Sequence, residues 1–382
     1  MRVLLDYRPA LRERTGVGEY VHQLARALVG LSLDPSAAGL TVELFTSSWK
    51  DRPDPAALAE LAVARLVDRR VPVRALNWAW HRLRWPPAEL LAGPGYDLVH
   101  SPHPLLLPAR RAARVVTIHD LDFLQHPERT RDEIRRDYPA FVRRDAHAAD
   151  AVIVPSAHVG RLAAELLQLD PSVLAVCPQG GPGWDRDPAL PPGNPRGRYV
   201  LFLGTLEPRK NVQGLLDAYA ALLTRWPDAP PLVLAGRRTP EADLWIEASQ
   251  RPPLAGRVEY RGYVPDHERR ALYEGARLLV LPSFDEGFGL PIVEAMTLGI
   301  PVVASDRGAL PEVCGGAAVL VDPDERGSIC HGIERVLREP GLAERLAERG
   351  AARARDFSWR RTAELTLEAY RQAQARRAGG TA

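Results

Sequence analysis

Short runs rich in apolar residues recur along most of the chain, separated by longer amphipathic stretches. Such a run between turn residues is typical of a strand that is buried on both faces of a parallel sheet. In the first half of the chain, the runs lie at 3–5, 42–45, 97–100, 115–118 and 151–154. In the second half, they lie at 199–203, 232–236, 258–261, 278–281, 301–304 and 318–321. Their alternation with helical stretches predicts an α/β fold with parallel, doubly wound sheets.

Residues 178–198 interrupt this pattern, because they are rich in glycine and proline and show no periodicity. This composition is typical of a linker between domains. We therefore predict an N-terminal domain over 1–178, a linker over 179–198 and a C-terminal domain over 199–357. The remaining residues, 358–382, are predicted to form one further helix.

Composition narrows the class of protein. With 382 residues, of which 46% are hydrophobic, the chain can bury two separate cores. A net charge of +2 argues against a broad nucleic-acid surface. The cysteines are odd in number, and neither they nor the histidines show metal-ligand spacing. We therefore predict no metal site and a reducing compartment.

The start of the chain carries no sign of export. The sequence reaches Asp6 too early for the core of a signal peptide. No apolar run approaches the roughly 18 residues that would span a bilayer. We therefore expect a cytoplasmic protein.

The apolar run 278–281 is followed by a glycine loop that carries Glu286 and by a predicted helix that carries Glu294. Helix N–H groups over a glycine loop at the carboxyl end of a strand form a diphosphate site, and here they belong to Phe288, Gly289 and Leu290. Because Glu286 and Glu294 flank this site and would repel a phosphate, we expect hydroxyl groups beside them, from a sugar ring and a ribose. An ordinary strand–loop–helix unit with solvated or capping acids would also fit.

A second loop, 204–211, follows the apolar run 199–203 and opens a helix. It begins with Gly204 and ends with Arg209, Lys210 and Asn211. Two adjacent cations at the carboxyl end of a strand suit a diphosphate, because charge-assisted hydrogen bonds are strong. A solvated basic turn is the alternative.

These two loops resemble the motifs of one enzyme family. Glu286 and Glu294, with seven residues between them, resemble the E-x7-E motif of the retaining nucleotide-sugar glycosyltransferases of the GT-B fold (group 1, glycosyltransferase family 4). The loop 204–211 resembles that family's phosphate loop, G-x-x-x-P-R-K-N. Many members carry arginine directly after the glycine, where this chain has Thr205, so Arg209 becomes the second cation by default.

The resemblance implies two Rossmann-like domains facing a cleft, with the last helix crossing back to the N-terminal domain. It also implies that Lys210, Arg209 and the N–H groups at 288–290 stabilise the diphosphate. Glu286 would orient the sugar and Glu294 the ribose.

Further positions follow from the same resemblance. The backbone of Tyr263 and Val264 would contact the nucleotide base, although a β-turn alone would explain them. His119 would lie against the donor sugar. Asp120 would face the acceptor, and an Asx turn accounts for it equally well.

A glycine pair near the N-terminus also fits the family. Gly16 and Gly18 would approach the donor phosphate and the acceptor with bare backbone, and a plain turn is the alternative. A dinucleotide-binding fingerprint would need glycine where Val21 stands, which weakens an oxidoreductase reading.

The resemblance implies a metal-independent hexosyltransferase with no cofactor besides its nucleotide-sugar substrate. The best-matching donor is GDP-mannose, and the acceptor would be a glycan or lipid-linked glycan in cell-surface polysaccharide or glycolipid synthesis. A UDP-sugar transferase and a GT-B nucleotide-sugar epimerase are the alternatives. A non-catalytic nucleotide-sugar-binding subunit is a third, disfavoured by the intact Lys210, Glu286 and Glu294.

Segment 76–87 contains three of the chain's eight tryptophans. Trp78 and Trp85 with Arg82 between them have the chemistry of a membrane interface, where rings lie at headgroup depth and cations meet anionic lipid. This favours weak peripheral contact with the inner face of the membrane. Packing in the core or lining of the acceptor cleft would explain the same tryptophans.

Overall fold

The computed structural model describes residues 1–11, 16–52, 55–61, 64–129, 132–185 and 193–379. The chain divides into two compact units, Met1–Gly180 with Trp359–Ala382, and Gly181–Ser358. Three sequence-based assignments lie partly outside the described residues: the turn before Gly16, part of the linker 179–198, and the end of the last helix.

The first unit holds a seven-stranded parallel sheet in the order β3-β2-β1-β4-β5-β6-β7. Its strands are β1 (Arg2–Asp6), β2 (Thr41–Thr46), β3 (Arg65–Asp68), β4 (Leu98–Ser101), β5 (Ala113–Thr117), β6 (Ala151–Val154) and β7 (Leu174–Val176). The helices between them are α1 (Val17–Ser32), α2 (Pro55–Ala59), α3 (Val73–Trp78), α4 (Ala88–Ala92), α5 (Asp122–Gln125), α6 (Asp132–Ala148) and α7 (Ala157–Leu167).

Both faces of this sheet are buried, as the apolar runs predict. Side chains alternate along a strand, so Val3 and Leu5 join one hydrophobic cluster while Leu4 joins another. All three are fully buried. Helical layers on both faces are what a parallel sheet with crossover connections requires.

The second unit holds a six-stranded parallel sheet in the order β10-β9-β8-β11-β12-β13. Its strands are β8 (Tyr199–Leu203), β9 (Leu232–Ala235), β10 (Val258–Gly262), β11 (Ala276–Leu281), β12 (Val302–Ser305) and β13 (Val319–Val321). Its helices are α8 (Val212–Arg225), α9 (Ala242–Ser249), α10 (Asp266–Glu274), α11 (Leu290–Thr297), α12 (Leu310–Cys314), α13 (Arg326–Arg338) and α14 (Leu342–Ala354). The prediction of an α/β fold with parallel, doubly wound sheets is confirmed.

The last helix, α15 (Trp359–Gly379), belongs to the first unit. It packs on α1 and on β5, β6 and β7. Ala363, Leu367, Tyr370 and Ala373 are buried in the same cluster as Val3, and their spacing of three and four residues forms one apolar stripe.

The apolar pattern missed two strands, β3 and β7, which lie at the two edges of the first sheet. Strand β3 begins at Arg65 and ends at Asp68, and β7 has only three residues, none of them buried. Edge strands are short and partly solvated, so they lack the continuous apolar run that marks a central strand.

Segment 76–87 also differs from a simple amphipathic helix. Helix α3 ends at Trp78 and is followed by one π-helical turn, Ala79–Leu83. Trp80 is fully buried and donates to the Pro86 carbonyl at 2.8 Å, whereas Trp78 and Trp85 are 60% and 56% exposed. The two outer tryptophans are therefore not core residues.

No helix within the described ranges has the length and apolar character needed to cross a bilayer.

Candidate functional site

The second sheet has its topological switch point between β8 and β11. Strand β9 lies on the far side of β8 and β12 on the far side of β11, so the loops after β8 and β11 lead to opposite sides. In open parallel sheets, ligands bind in the crevice that forms at this point, outside the carboxyl ends of the strands. The two loops meet there, because the Phe284 N–H donates to the Arg209 carbonyl at 2.9 Å.

Two cations converge on one carboxylate at this crevice. Lys210 Nζ lies 2.5 Å from Glu286 Oε1, and Arg209 Nη1 lies 3.2 Å from Glu286 Oε2. Ser283 Oγ donates to Oε1 at 2.8 Å, and Arg209 also donates to the Asp285 carbonyl at 2.9 Å. The sequence-predicted residues Arg209, Lys210 and Glu286 are therefore brought together.

The electrostatics keep Glu286 ionised. Burial by itself would raise the pKa of this carboxyl, but Lys210 and Arg209 beside it hold the pKa below its usual value. The side chains of Lys210 and Glu286 are only 12% and 7% exposed, so water screens the pair weakly. An anionic ligand that enters the crevice can take over the two cations from Glu286.

Glycines bring the surrounding backbone close to this cluster. Gly236, directly after β9, has φ 134°, and a Cβ there would lie 1.9 Å from the Gly204 carbonyl oxygen. Gly308, after β12, has φ 64°, and its Cβ would lie 2.7 Å from the Glu286 nitrogen. The sequence analysis gave neither glycine a role in the site. Gly236 was the last residue of the predicted run 232–236, and Gly308 follows the run 301–304 by four residues.

Asn211 holds the loop after β8 in place. It has φ 55° and caps α8, with its Oδ1 accepting from the Gly214 N–H at 3.2 Å. Its Nδ2 donates to the Pro323 carbonyl at 2.7 Å. The buried amide thus ties the turn with Arg209 and Lys210 both to α8 and to the loop after β13.

Helix α11 begins directly after the loop that carries Glu286. Gly289 caps the helix with φ 95°, and a Cβ there would lie 2.6 Å from Leu310 Cδ2. The helix begins at Leu290, and Pro291 occupies its second position. Among described residues, no acceptor pairs with the backbone N–H groups of Phe288, Gly289 and Leu290. These donors are free to bind an anion.

Glu294 lies on α11 and is held by two side chains of α10. Tyr273 donates its hydroxyl to Glu294 Oε2 at 2.6 Å, and Arg269 forms an ion pair with Oε1. Burial and the neighbouring carboxylate raise the pKa of Tyr273 well above its usual value, so the hydroxyl stays a donor. Sequence analysis missed Arg269 and Tyr273. Their spacing of four places both on one face of a helix, but nothing in the sequence links that face to Glu294.

Tyr263 and Val264 connect β10 to α10. Gly262 before them has φ 71°, which lets the chain turn out of the sheet. Tyr263 is 37% exposed and Val264 is partly buried.

Gly16 and Gly18 lie at the start of α1 in the first unit. Gly16 caps the helix with φ 51°, a conformation that favours glycine. A Cβ on Gly18 would lie 2.9 Å from the Pro9 carbonyl oxygen, so Gly18 serves close backbone packing.

His119 and Asp120 follow β5 and are both partly buried. His119 Nε2 lies 3.0 Å from the Pro102 carbonyl, to which it donates, and its ring meets Tyr20 edge-on at 4.6 Å. Burial lowers the pKa of His119. The ring is therefore neutral near pH 7, and Nδ1 remains an acceptor.

In the described ranges, no three His, Cys, Asp or Glu side chains are grouped so that they could hold a metal ion.

Comparison with known proteins identifies the family of this chain. The family model "Glycosyltransferase Family 4" matches residues 14–229, and "Glycosyl transferases group 1" matches residues 189–353. The two parallel sheets are those of the GT-B glycosyltransferases. The chain belongs to glycosyltransferase family 4.

Three similar proteins are informative. The O-antigen chain mannosyltransferase B of Escherichia coli is 43% identical over 173 residues, which are 45% of this chain and 45% of that protein. The sucrose-phosphate synthase of Thermosynechococcus elongatus has a TM-score of 0.73 at 22% identity, covering 97% and 98% of the two chains. The Anabaena protein HepE, solved in complex with UDP and glucose, has a TM-score of 0.68 at 18% identity, covering 96% and 98%. The chain thus spans about half or less of the first curated relatives that it matches.

Proposed function

We propose that this protein is a nucleotide-sugar-dependent glycosyltransferase that moves a hexose to a glycan or lipid-linked acceptor in polysaccharide or glycolipid synthesis. One observation carries the proposal. Lys210 and Arg209 converge on Glu286 at the switch point of the second sheet. The unpaired N–H groups at the start of α11 follow Glu286 in the same loop.

In the proposed reaction, the diphosphate of the donor replaces Glu286 as partner of Lys210 and Arg209. Negative charge grows on this diphosphate as the bond to the sugar breaks, so fixed cations and N–H groups lower the barrier. No metal is needed for that role. Glu286, released from the cations, then accepts hydrogen bonds from the sugar.

The same proposal assigns the remaining residues. Glu294, oriented by Arg269 and Tyr273, accepts hydrogen bonds from the ribose hydroxyls. The neutral His119 accepts one from the donor sugar through Nδ1. Transfer retains the anomeric configuration by attack on the same face, a route that does not need the usual retaining pair of carboxylates about 5–5.5 Å apart.

GDP-mannose is the donor we propose. The support is the 43% identity to a protein named as a mannosyltransferase, over a little less than half of each chain. A UDP-sugar is the second candidate, favoured by the UDP and glucose bound to HepE, whose identity to this chain is only 18%.

A panel of GDP- and UDP-sugars tests this proposal. We expect GDP-mannose to protect the protein against thermal unfolding and to be slowly hydrolysed in the absence of acceptor. Protection by UDP-sugars alone would assign a UDP-sugar as the donor in place of GDP-mannose. Binding of neither set would refute the function, and conversion to an epimeric sugar without acceptor would indicate the epimerase.

Weak contact with an anionic membrane surface belongs to the same proposal. Trp78, Leu83 and Trp85 are each more than half exposed, which is unusual for large apolar side chains so close together. Exposed tryptophans beside Arg82, which is 52% exposed and pairs with the exposed Asp137, match an interfacial surface. Such binding weakens as salt rises.

Vesicle co-sedimentation tests the membrane contact. Wild-type protein should bind vesicles that contain anionic lipid at low salt, and Trp78→Ala/Trp85→Ala should bind less. Leu244→Ala is the matched control, because it removes a side chain that is 70% exposed in the second unit. Equal binding by wild type and double variant would leave these rings without a membrane role.

A further inference from the structure

The first sheet has a switch point of its own, between β1 and β4. Strand β2 lies beyond β1 and β5 beyond β4, so a crevice opens at their carboxyl ends. A pocket of about 390 Å³ lies there, within the size range of small-molecule sites. Asp6 at the end of β1, Ser47 after β2 and His103 after β4 contribute to its lining.

Asp6 accepts hydrogen bonds from two other residues that line this pocket. It is fully buried and receives two hydrogen bonds from the Arg8 side chain, at 2.8 and 2.7 Å, and a third from the Arg8 backbone N–H at 3.2 Å. His103 Nε2 donates to it at 2.9 Å. Arg8 also donates to Asn77 at 2.9 Å and lies 4.5 Å from the centre of the Trp80 ring. These groups are held in position before any ligand arrives.

Among the described lining residues, Arg8 and His103 are both paired with the Asp6 carboxylate. Burial by itself would raise the pKa of Asp6, but Arg8 and His103 hold it well below its usual range, so Asp6 and Arg8 form a neutral pair. Leu105 N–H donates to His103 Nδ1 at 3.3 Å, and Nε2 of the same ring is engaged by Asp6 at 2.9 Å, so both ring nitrogens have partners. Asp51 adds a negative charge to the lining. The pocket therefore offers no spare cation to a phosphate.

Two polar atoms of the lining lack partners. Over the described parts of the chain, Ser47 Oγ and His81 Nδ1 are buried and make no hydrogen bond. Ser47 is fully buried, and burial lowers the pKa of His81 to about 4, so this ring is neutral. An unpaired buried polar atom costs about 1–3 kcal/mol. A ligand hydroxyl suits both atoms, because it can donate and accept.

Apolar groups complete the pocket. Pro9, Leu11, Val73 and Leu105 line it together with the ring of Tyr138. Apolar and aromatic walls with a few convergent polar groups are typical of ligand pockets. The C–H faces of a sugar ring fit such walls, and its hydroxyls fit the unpaired atoms.

We propose that this pocket binds an uncharged sugar residue of the acceptor, with hydroxyls on Ser47 and His81. This inference rests on the proposed function and names the substrate class of its acceptor side: a neutral glycan end, and not a phosphorylated sugar or a phosphate headgroup.

The experiment measures sugar binding without donor, by saturation-transfer NMR and titration. The probes are the methyl glycosides of mannose, glucose, galactose and N-acetylglucosamine, each beside its 6-phosphate. We expect at least one neutral glycoside to bind and its 6-phosphate to bind at least about fivefold more weakly. No binding by any neutral glycoside, or tighter binding of the phosphates, would overturn the proposal.

Variants locate the binding. Ser47→Ala and His81→Phe should each raise the Kd of the bound glycoside by about 3–10-fold, the value of one hydrogen bond. Ser249→Ala is the matched control, because it removes a buried hydroxyl in the second unit. Ser47→Ala should leave the Tm unchanged or raise it, since Ser47 Oγ has no partner to lose. A lower Tm with unchanged Kd would assign Ser47 a purely structural role.

Donor protection is measured on the same variants. If no nucleotide-sugar binds the wild type, the proposed function fails, while the glycoside titration still decides the pocket. If donors bind and glycosides do not, only the pocket assignment fails.

Discussion

Glu286 is the central residue of the candidate donor site. Its two oxygens meet Lys210, Arg209 and the Ser283 hydroxyl, so the free protein keeps two cations close together without leaving them unpaired in a buried place. A buried ion is stable only when it is paired. A diphosphate that binds here would therefore compete with the Glu286 carboxylate for Lys210 and Arg209.

Replacing Lys210 by alanine should lower kcat by about 10²–10³-fold, the effect of removing one preorganised stabiliser of developing charge. Initial rates with the donor selected from the nucleotide-sugar panel provide the measurement. Lys50→Ala removes the chain's other lysine, which is exposed in the first unit, and should keep the wild-type rate. Near-normal turnover of Lys210→Ala would mean that the diphosphate binds elsewhere.

Glu294→Gln should weaken nucleotide affinity more than it lowers turnover at saturation. The proposed ribose contact would not change during the reaction, so its loss should affect ground state and transition state alike. Separate determination of KM and kcat gives the test. Glu274→Gln, which affects a more exposed ion pair with Arg270, is the control. A fall in kcat at unchanged KM would place Glu294 at the reacting sugar.

At the scale of elements, one buried histidine connects a central strand to the last helix. His100 of β4 pairs through Nδ1 with the Tyr370 hydroxyl of α15 at 2.7 Å. Its Nε2 pairs with Thr117 of β5 at 2.9 Å. The apolar stripe of α15 and this polar contact together fix the helix on the first sheet.

This contact should make the first unit sensitive to acid. Burial lowers the pKa of His100 from 6.5 to about 3. The unfolded chain therefore takes up the proton first, and stability is lost as pH falls below about 6.5, by about 1.4 kcal/mol per pH unit. Urea unfolding should show that wild type loses about 2 kcal/mol more than His100→Gln between about pH 7 and about pH 5.

The exposed His267 supplies the control for this measurement, because its side chain is 79% exposed. His267→Gln should keep the wild-type pH dependence. If His100→Gln has the same slope as wild type, the buried ring does not determine the acid sensitivity.

At the scale of the whole molecule, each unit repeats one architectural device. A parallel sheet changes winding direction at its centre, and polar side chains from the two central strand ends meet there. Lys210 and Glu286 meet in the second unit, and Asp6 and His103 in the first. The family models match across residues 14–229 and 189–353, so both units belong to the family pattern.

Excess EDTA should leave the transfer rate unchanged, because in the proposed mechanism protein cations and helix N–H groups take the role that a divalent ion has in other transferases. The measurement compares initial rates with and without chelator, and after addition of Mg²⁺ or Mn²⁺. Loss of activity with EDTA and recovery with either ion would contradict the metal-independent mechanism.

The sequence by itself determined the α/β class, the central strands of both sheets and the two loops of the candidate donor site. These features are local, since a buried parallel strand needs a short apolar run and a phosphate loop needs glycine beside a cation or a helix start. Family resemblance added roles for Glu286 and Glu294. The sequence pattern did not predict the edge strands β3 and β7, because a partly solvated strand does not need a continuous apolar run.

Only the tertiary structure decided which side chains meet. Arg269 and Tyr273 reach Glu294 because α10 packs beside α11, and no spacing in the sequence links those positions. Ser47, His81 and His103 line one pocket because strand order places distant strand ends side by side. Burial then fixes their chemistry, since removal from water makes His81 neutral and leaves Ser47 Oγ in need of a partner. Contacts between elements far apart in the chain depend on packing, which local pattern does not encode.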